Sequence, residues 1–225
     1  MNPLSLRAFF GFARSIIVVS FLLFIPGRSW NYPAAWAFLA IYFIPQILMI
    51  LWFHKHDPAL LRRRLKMGLK AENRSVQALV MLLMRIFFVL KVFVSASDHT
   101  FHWSNVPIPL MAVADAGILL GFFIQFYVFK ENTFASAVIE ISEGQKVISI
   151  GPYAIVRHPM YSGALLVNFL LPIALGSWWG LPFAAAMAAI IVVRLSDEEK
   201  LLRKNLPGYP EYCQKTPYRL IPYVW

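Results

Sequence analysis

Charged and aromatic residues that could act together lie in the C-terminal third of the chain. Arg157 and His158 stand just before an apolar stretch that begins at Met160, and Arg194 and Glu198 lie near the end of the next stretch. If the two stretches form a helical hairpin, these side chains meet at one end of it. Carboxylates and aromatic rings bind cationic ligands, and arginine holds anionic groups by bidentate contact. Methyl transfer, which depends on positioning and electrostatics, needs little more than this set.

Each motif also has a simpler structural explanation. Arg157-His158-Pro159 could be a helix entry, with proline in the first turn. The run Asp197-Glu198-Glu199 could be a solvated helix face beside Lys200 and Arg203. Singly, these explanations are at least as good as a functional one, but the order and spacing of the motifs together favour function.

The same motifs resemble a known enzyme family. Gly151-Pro152-Tyr153, the box from Arg157 to Tyr161, Glu198-Glu199 and the Gly208–Tyr212 ending resemble the isoprenylcysteine carboxyl methyltransferases, whose wider relatives include phospholipid N-methyltransferases. The resemblance covers residues 130 to 222 approximately. It implies S-adenosylmethionine as cofactor, bound at the cytoplasmic face of the membrane by the last helices.

The resemblance also implies which residues form the site. The expected cofactor-binding residues are Gln145, Lys146, Val147, Ile148, Tyr153, His158, Pro159, Met160, Tyr161 and Glu198. Arg194 matches the family arginine associated with substrate, and Glu199 and Arg157 are expected to assist it as catalytic residues. The sequence departs from the prenylcysteine enzymes at Val138 and Gln145, where they have glutamine and histidine. These differences bear on the prenylcysteine substrate rather than on the cofactor.

Composition places these motifs in a membrane protein. Hydrophobic residues make up 59% of the chain and charged residues 14%, whereas soluble proteins carry about 25% charged residues. The apolar residues form six blocks, several of them near the roughly 20 residues that a membrane-spanning helix needs: Phe9–Ile25, Ala34–Phe53, Val76–Val94, Leu110–Phe129, Met160–Leu175 and Leu181–Ser196. We therefore predict an all-α integral membrane protein with about six transmembrane segments.

The chain is expected to have two regions, with N-terminal transmembrane helices in residues 1–129 and a methyltransferase-like region in residues 130–225. The last two apolar blocks flank Gly176-Ser177-Trp178-Trp179-Gly180, a plausible tight turn at a membrane surface. This segment favours a C-terminal helical hairpin, and one long kinked helix is the alternative.

Loop charge predicts the orientation. The loop from His54 to Ser75 holds Lys55, Arg62, Arg63, Arg64, Lys66, Lys70 and Arg74, whereas the loop from Ser95 to Pro109 holds no lysine or arginine. By the positive-inside rule, the first loop, both termini and the cofactor pocket are cytoplasmic. The net charge of +10 is then explained by topology and contact with membrane lipids, and no nucleic-acid partner is expected.

Besides Arg194, the apolar blocks contain the charged residues Arg14, Arg85, Lys91 and Asp115. Arg14 and Lys91 lie within reach of a helix end, where long basic side chains extend to the interface. Arg85 and Asp115 lie deeper, on different helices, and are predicted to pair as a structural ion pair. The repeated, broken helices of a transporter are not found.

The expected substrate is a lipophilic or lipidated acceptor that arrives from the bilayer, either a carboxylate, isoprenoid-like or prenylated, or a lipid amine. Two other functions stay open. Residues Tyr212 to Tyr223 resemble the end of the membrane sterol reductases, which use NADPH, and a non-catalytic membrane binding protein is the third possibility.

Metal and disulfide chemistry are not expected. The groups His54-x-His56-Asp57 and Asp98-His99-x-x-His102 are placed on opposite sides of the membrane by the predicted topology, and zinc needs three or four converging ligands. The single cysteine, Cys213, excludes an intramolecular disulfide. The oligomeric state is left open by the sequence.

Overall fold

A computed structural model of the protein describes residues 3–65 and 75–225. Within these ranges the regular structure is entirely helical: α1 (Pro3–Gly27), α2 (Pro33–His56), α3 (Pro58–Leu65), α4 (Ser75–Phe101), α5 (Ile108–Glu131), α6 (Pro159–Ala174), α7 (Leu181–Asn205) and α8 (Tyr209–Lys215), with a 3-10 turn at Gly151–Ala154. Lys66, Lys70 and Arg74, which entered the orientation argument, lie outside the described residues.

In the described part of the chain, four helices are long and apolar enough to cross a membrane, which supports an integral membrane protein: Phe9–Gly27 of α1, α2, Val76–Phe101 of α4, and α5. α6 is apolar but has only 16 residues, slightly fewer than the roughly 17 to 25 of spanning helices. α7 is apolar over its first half and charged over its second. A count of six crossings therefore stays a prediction.

α6 and α7 form the predicted hairpin rather than one kinked helix. The chain reverses between Leu175 and Gly180, with Gly176 at φ +80°, a backbone conformation that favours glycine. Across the hairpin, the Asn168 side-chain amide donates to the Ala184 carbonyl at 2.8 Å. The beginning of α6 and the end of α7 consequently lie at the same end of the bundle.

Among the described residues, α5 and α6 make the most extensive helix contact, and their backbones approach closely at two glycines. A Cβ added at Gly163 would lie 2.8 Å from the Gly121 carbonyl oxygen, and one added at Gly121 would lie equally close, 2.8 Å, to the Gly163 carbonyl oxygen. Glycine is therefore required at both positions for the backbones to meet, as in other packed membrane helices.

We expect Gly163→Ala to destabilise the protein by about 1–3 kcal/mol, because the new methyl group forces α6 away from α5. The measurement is thermal unfolding in detergent. Gly11→Ala is the matched control, since a Cβ at Gly11 meets nothing within 4 Å. An equal melting temperature for Gly163→Ala and the unmodified chain would contradict the close contact.

Lys91, Arg85 and Asp115 differ from expectation. Lys91 is buried at 1% exposure and donates to both the backbone and side-chain oxygens of Asn168, so it does not extend to the interface. The predicted pair of Arg85 and Asp115 is also wrong. One Asp115 carboxylate oxygen is buried without a hydrogen-bond partner, because α4 packs mainly on α1 and α7, whereas α5 packs on α2 and α6.

The aspartates of the two histidine-containing clusters, Asp57 and Asp98, make structural hydrogen bonds. The Asp57 carboxylate accepts from the Leu60 amide at 2.9 Å, near the start of α3, and from the Thr133 hydroxyl. At the opposite end of the bundle, Asp98 accepts from the Ser104 amide at 2.7 Å and from the Ser177 hydroxyl. This second set ties the end of α4 to the hairpin turn. α4 ends at Phe101, later than its predicted end at Val94.

Candidate functional site

The predicted functional side chains meet at the end of the bundle where α6 begins and α7 finishes. Three irregular or short segments cover this end: residues 132–158 between α5 and α6, helix α8, and the tail after α8. The hairpin therefore produces the juxtaposition that the spacing of the motifs predicted, with Tyr161 of α6 donating to Glu198 of α7 at 2.7 Å.

The C-terminal tail holds the entry to α6. The backbone amides of Arg157 and His158 donate to the Tyr218 and Arg219 carbonyls, each at 2.9 Å. The Arg157 guanidinium also donates to the Thr216 carbonyl at 2.9 Å. The helix-entry explanation of this motif is thus correct in part, because Arg157 fixes the segment that places His158.

Glu199 is the centre of a buried ion-pair cluster. Its carboxylate lies 3.0 Å from Arg157 Nε, 3.1 Å from Arg203 Nη2 and 2.7 Å from Arg219 Nε. Burial by itself raises the pKa of the Glu199 carboxyl, but these three cations outweigh burial and hold the pKa below its ordinary value. The cluster joins α7, the α6 entry and the tail.

A cavity lies next to this cluster, and every residue predicted for the cofactor lines it. Its wall is formed by Asn132, Phe134, Ala135, Ser136, Val138, Ile139, Glu140, Gln145, Lys146, Val147, Ile148, Tyr153, Arg157, His158, Pro159, Met160, Tyr161, Glu198, Leu201, Leu202, Leu206, Tyr209 and Tyr212. Val138 and Gln145, where the sequence departs from the prenylcysteine enzymes, are both in this wall.

The cavity is narrow. Its volume of about 100 Å³ is several times what one water needs but below the roughly 300–1,000 Å³ of small-molecule sites. One wall is the segment 132–150, which contains no helix in the structure. A ligand of nucleotide size therefore requires a wider cavity than the one in this structure.

The Tyr153 hydroxyl is a hydrogen-bond donor for a ligand in the cavity. Asn132 Nδ2 donates to the Tyr153 hydroxyl at 2.8 Å. Burial raises the pKa of Tyr153 to about 12, so the phenol keeps its proton. Because its oxygen is already accepting, that proton is free to donate to an acceptor in the cavity.

Three buried polar atoms of wall residues have no hydrogen-bond partner: Arg157 Nε, His158 Nε2 and the Tyr209 hydroxyl. Arg157 Nε is ion-paired with Glu199, which leaves His158 Nε2 and the Tyr209 hydroxyl. Burial lowers the pKa of the His158 imidazole, and the opposing effect of Glu198 and Glu199 does not cancel it. The ring is therefore neutral at neutral pH. Buried polar atoms are nearly always satisfied in folded proteins, so these two atoms mark places where a ligand or water binds.

Arg194 lies behind the cavity wall. It is buried, and its guanidinium donates to Gln77 Oε1 at 3.0 Å and to the Ala137 carbonyl at 2.8 Å. It also interacts with the Tyr161 hydroxyl. Among the predicted catalytic residues, Arg157 is in the wall, whereas Arg194 and Glu199 are not among the wall residues; their catalytic roles stay predictions.

Sequence reasoning missed Arg64 of α3, which it used only as a loop charge. The Arg64 guanidinium donates to the Ser136 carbonyl at 3.1 Å, lies 3.6 Å from Met160 Sδ and stacks 4.7 Å from the Phe129 ring centre. It also lines a second, mostly apolar cavity between α2, α3 and α5. Tyr209 and Tyr212 were also missed as wall residues; only the resemblance at residues 208–212 signalled them.

Comparison with known sequences finds a family match over part of the chain. Residues 110–207 match the sequence model of the phospholipid methyltransferase family, which includes isoprenylcysteine carboxyl methyltransferase-like proteins. The resemblance predicted from the motifs is therefore confirmed for this part of the chain. The match covers α5, α6, α7 and most of the cavity wall.

Individual relatives carry a different activity in their names. The Delta(14)-sterol reductase TM7SF2 of Mus musculus is 33% identical over 90 residues, 39% of this chain and 22% of the reductase. The Delta(14)-sterol reductase ERG24 of Saccharomyces cerevisiae is 28% identical over 135 residues, 53% of this chain and 30% of the reductase. The Delta(14)-sterol reductase erg24 of Schizosaccharomyces pombe is 27% identical over 137 residues, which are 53% of this chain and 32% of the reductase. The chain thus spans less than a third of each reductase.

Proposed function

We propose that the protein is an integral membrane methyltransferase that moves a methyl group from S-adenosylmethionine to a lipophilic acceptor. One observation carries this proposal: the cofactor-binding residues implied by the methyltransferase resemblance, which are scattered over more than 50 positions in sequence from Gln145 to Glu198, all line a single cavity. The family match over residues 110–207 supports it.

The residues in the wall fit this cofactor. The Glu198 carboxylate and the rings of Tyr153 and Tyr161 suit cationic ammonium and sulfonium groups. His158 Nε2 and the Tyr209 hydroxyl need a polar partner, and the leucines of α7 form an apolar surface suited to a nucleobase. When bound, the cofactor supplies an electrophilic methyl group, whose bond to sulfur breaks as the bond to the acceptor forms.

The charges of the wall residues favour S-adenosylmethionine over NADPH. The ionised wall residues are Glu140 and Glu198 against Lys146 and Arg157, and Arg157 is already paired with Glu199. NADPH brings a pyrophosphate and a further phosphate, which call for an excess of cations or a helix N-terminus. A balanced wall with carboxylates favours a ligand whose groups are mostly cationic or neutral.

The second cavity supplies a route for the acceptor. It is bounded by α2, α3 and α5 with apolar residues such as Phe53 and Leu61, and Arg64 is the one charged residue among the described residues of its lining. Arg64 also contacts Met160 of the first cavity. We assign to Arg64 the positioning of an acceptor carboxylate, which is ionised at neutral pH and needs no base. A lipid amine has to lose a proton, for which the neutral His158 is the available base.

The membrane arrangement is part of the proposal. With α6 and α7 crossing as a hairpin, the chain has six crossings, and both termini and the cavity face the cytoplasm. The basic residues at the end of α7 and in α3, on the cavity side of the bundle, support this orientation.

A second candidate function is NADPH-dependent reduction of a sterol-type substrate. The observation that favours it is the name shared by the three relatives, which are sterol reductases. The relatives and this chain share the region around the cavity, so the same wall would have to accept the dinucleotide.

Calorimetric titration of the detergent-purified chain with S-adenosylhomocysteine and, in parallel, with NADPH tests the two candidates. We expect saturable binding of S-adenosylhomocysteine and none of NADPH, because the wall holds as many carboxylates as cations. Binding of NADPH alone would overturn the proposal in favour of the reductase. Binding of neither would leave a membrane binding protein without this catalysis as the better description.

A further inference from the structure

A groove that shares no residue with the cofactor cavity lies on the membrane-spanning surface of α1, α2 and α4, and it adjoins the second cavity at Gln46. Its volume is about 520 Å³, and its lining is largely apolar, with Val18, Phe43, Phe88 and Val89 among the residues. This volume falls within the roughly 300–1,000 Å³ range of small-molecule sites. The groove is larger than the cofactor cavity and independent of it.

Arg14 and Arg85 both line this groove. Each belongs to a helix segment that is apolar enough to span the membrane, Phe9–Gly27 and Val76–Phe101. The described residues of the lining include no acidic residue, and no ion pair involves either arginine in the described part of the chain. Two cations thus share one apolar groove without a protein anion.

The two arginines lie at similar depth. α1 and α4 run side by side in the same direction, because the Thr100 hydroxyl near the end of α4 donates to the Pro26 carbonyl near the end of α1 at 2.7 Å. At about 1.5 Å per residue, Arg14 lies about 18 Å from Pro26 along α1, and Arg85 lies about 22 Å from Thr100 along α4. That difference is within the reach of a long side chain, so both guanidinium groups can hold one ligand.

The neutral polar residues of the groove do not substitute for an anion. The Ser15 hydroxyl donates to the Gly11 carbonyl at 2.9 Å, and the Gln46 amide donates to the Tyr42 carbonyl at 2.7 Å. Unpaired charge inside a bilayer is costly, and intramembrane arginines generally face a binding partner. An anion with apolar chains meets both requirements, since its head pairs with the arginines and its chains cover the walls.

We propose that this groove binds a membrane phospholipid with a net negative headgroup, whose phosphate lies between Arg14 and Arg85 and whose acyl chains lie along α1 and α4. Charge complementarity selects this occupant over zwitterionic lipid, because an internal ammonium would compete with the arginines for the phosphate. The site does not depend on the methyltransferase proposal, and it gives the basic chain a specific lipid contact.

Native mass spectrometry of the full chain in detergent tests the site, with dioleoylphosphatidylglycerol, dioleoylphosphatidylcholine and oleate as probes. We expect phosphatidylglycerol to bind more tightly than phosphatidylcholine. The double variant Arg14→Gln/Arg85→Gln should lose about 30-fold in phosphatidylglycerol affinity, with its phosphatidylcholine affinity unchanged. Arg14→Lys/Arg85→Lys should keep the preference, which separates lost charge from lost folding.

Lys200→Gln/Lys204→Gln is the matched control, since it removes two exposed positive charges from α7 outside the groove. It should bind phosphatidylglycerol as the unmodified chain does. An equal loss in this control would overturn the site in favour of general electrostatic attraction. Unchanged affinity in the arginine-to-glutamine variant would overturn it too, and so would tight binding of oleate without phosphatidylglycerol, which would mark a carboxylate amphiphile as the occupant.

Discussion

Glu198→Ala is expected to weaken the binding of S-adenosylhomocysteine by a factor of roughly 30 or more, while the helices remain folded. Glu198 is in the cavity wall and accepts from Tyr161 at 2.7 Å. Under the proposed function, the variant also leaves a cationic group of the cofactor without its carboxylate, and loss of one partner of a desolvated charge pair between protein and ligand costs about 2–5 kcal/mol. This cost corresponds to an affinity loss of roughly 30-fold to several thousand-fold. Calorimetric titration measures the loss, and circular dichroism measures the helical content.

Two further variants make the Glu198 result specific. Glu198→Gln keeps the shape of the side chain and an oxygen that accepts from Tyr161, but it removes the charge. Its affinity for S-adenosylhomocysteine should therefore lie between that of the unmodified chain and that of Glu198→Ala. Glu211→Gln removes an exposed carboxylate on α8 and should bind normally. A folded Glu198→Ala protein with undiminished affinity would remove this carboxylate from the cofactor site.

Much of the architecture could be predicted because membrane helices are encoded locally. Each predicted apolar block coincides with a helix, since a run of apolar residues in a bilayer has to satisfy its backbone internally. The cavity followed from the same logic, because a hairpin at Gly176 necessarily brings the start of α6 to the end of α7. The resemblance then identified which residues of those segments face inward.

Contacts between distant helices could not be predicted in this way. Lys91 and Asp115 are placed by which helix packs on which, and nothing in the local sequence specifies that α4 faces α6 through Asn168. Arg64 was missed for a related reason. In sequence it is one of three consecutive arginines. The packing of α3 places Arg64 against Met160, whereas Arg62 is exposed.

The adjacent glutamates Glu198 and Glu199 face different surroundings, which the sequence could not distinguish. Successive residues on a helix point about 100° apart. Glu198 therefore lies in the cavity wall, while Glu199 turns away towards Arg157 and Arg219. This separation predicts that a change at one affects ligand binding and a change at the other affects stability.

Glu199→Gln is expected to lower stability by about 3–5 kcal/mol, because it leaves the buried Arg157 without its charged partner. Thermal unfolding in detergent at neutral pH measures the change. Arg203→Gln is the matched control, since it removes a partner of the same carboxylate whose side chain is 46% exposed, and exposed helix pairs contribute only about 0.3–0.5 kcal/mol. Equal losses in the two variants would contradict a buried cluster.

Acid should reproduce the effect of this substitution in the unmodified chain. Because the folded pKa of Glu199 lies below its ordinary value, the stabilisation is fully present above the unfolded pKa, about 4.3, and is lost as pH falls through the folded pKa. The melting temperature of the unmodified chain should therefore fall more steeply below pH 4.3, approximately, than that of Glu199→Gln. Parallel pH profiles would mean that Glu199 is not the group that titrates, and the ion-pair cluster would then not be what joins the tail to α7.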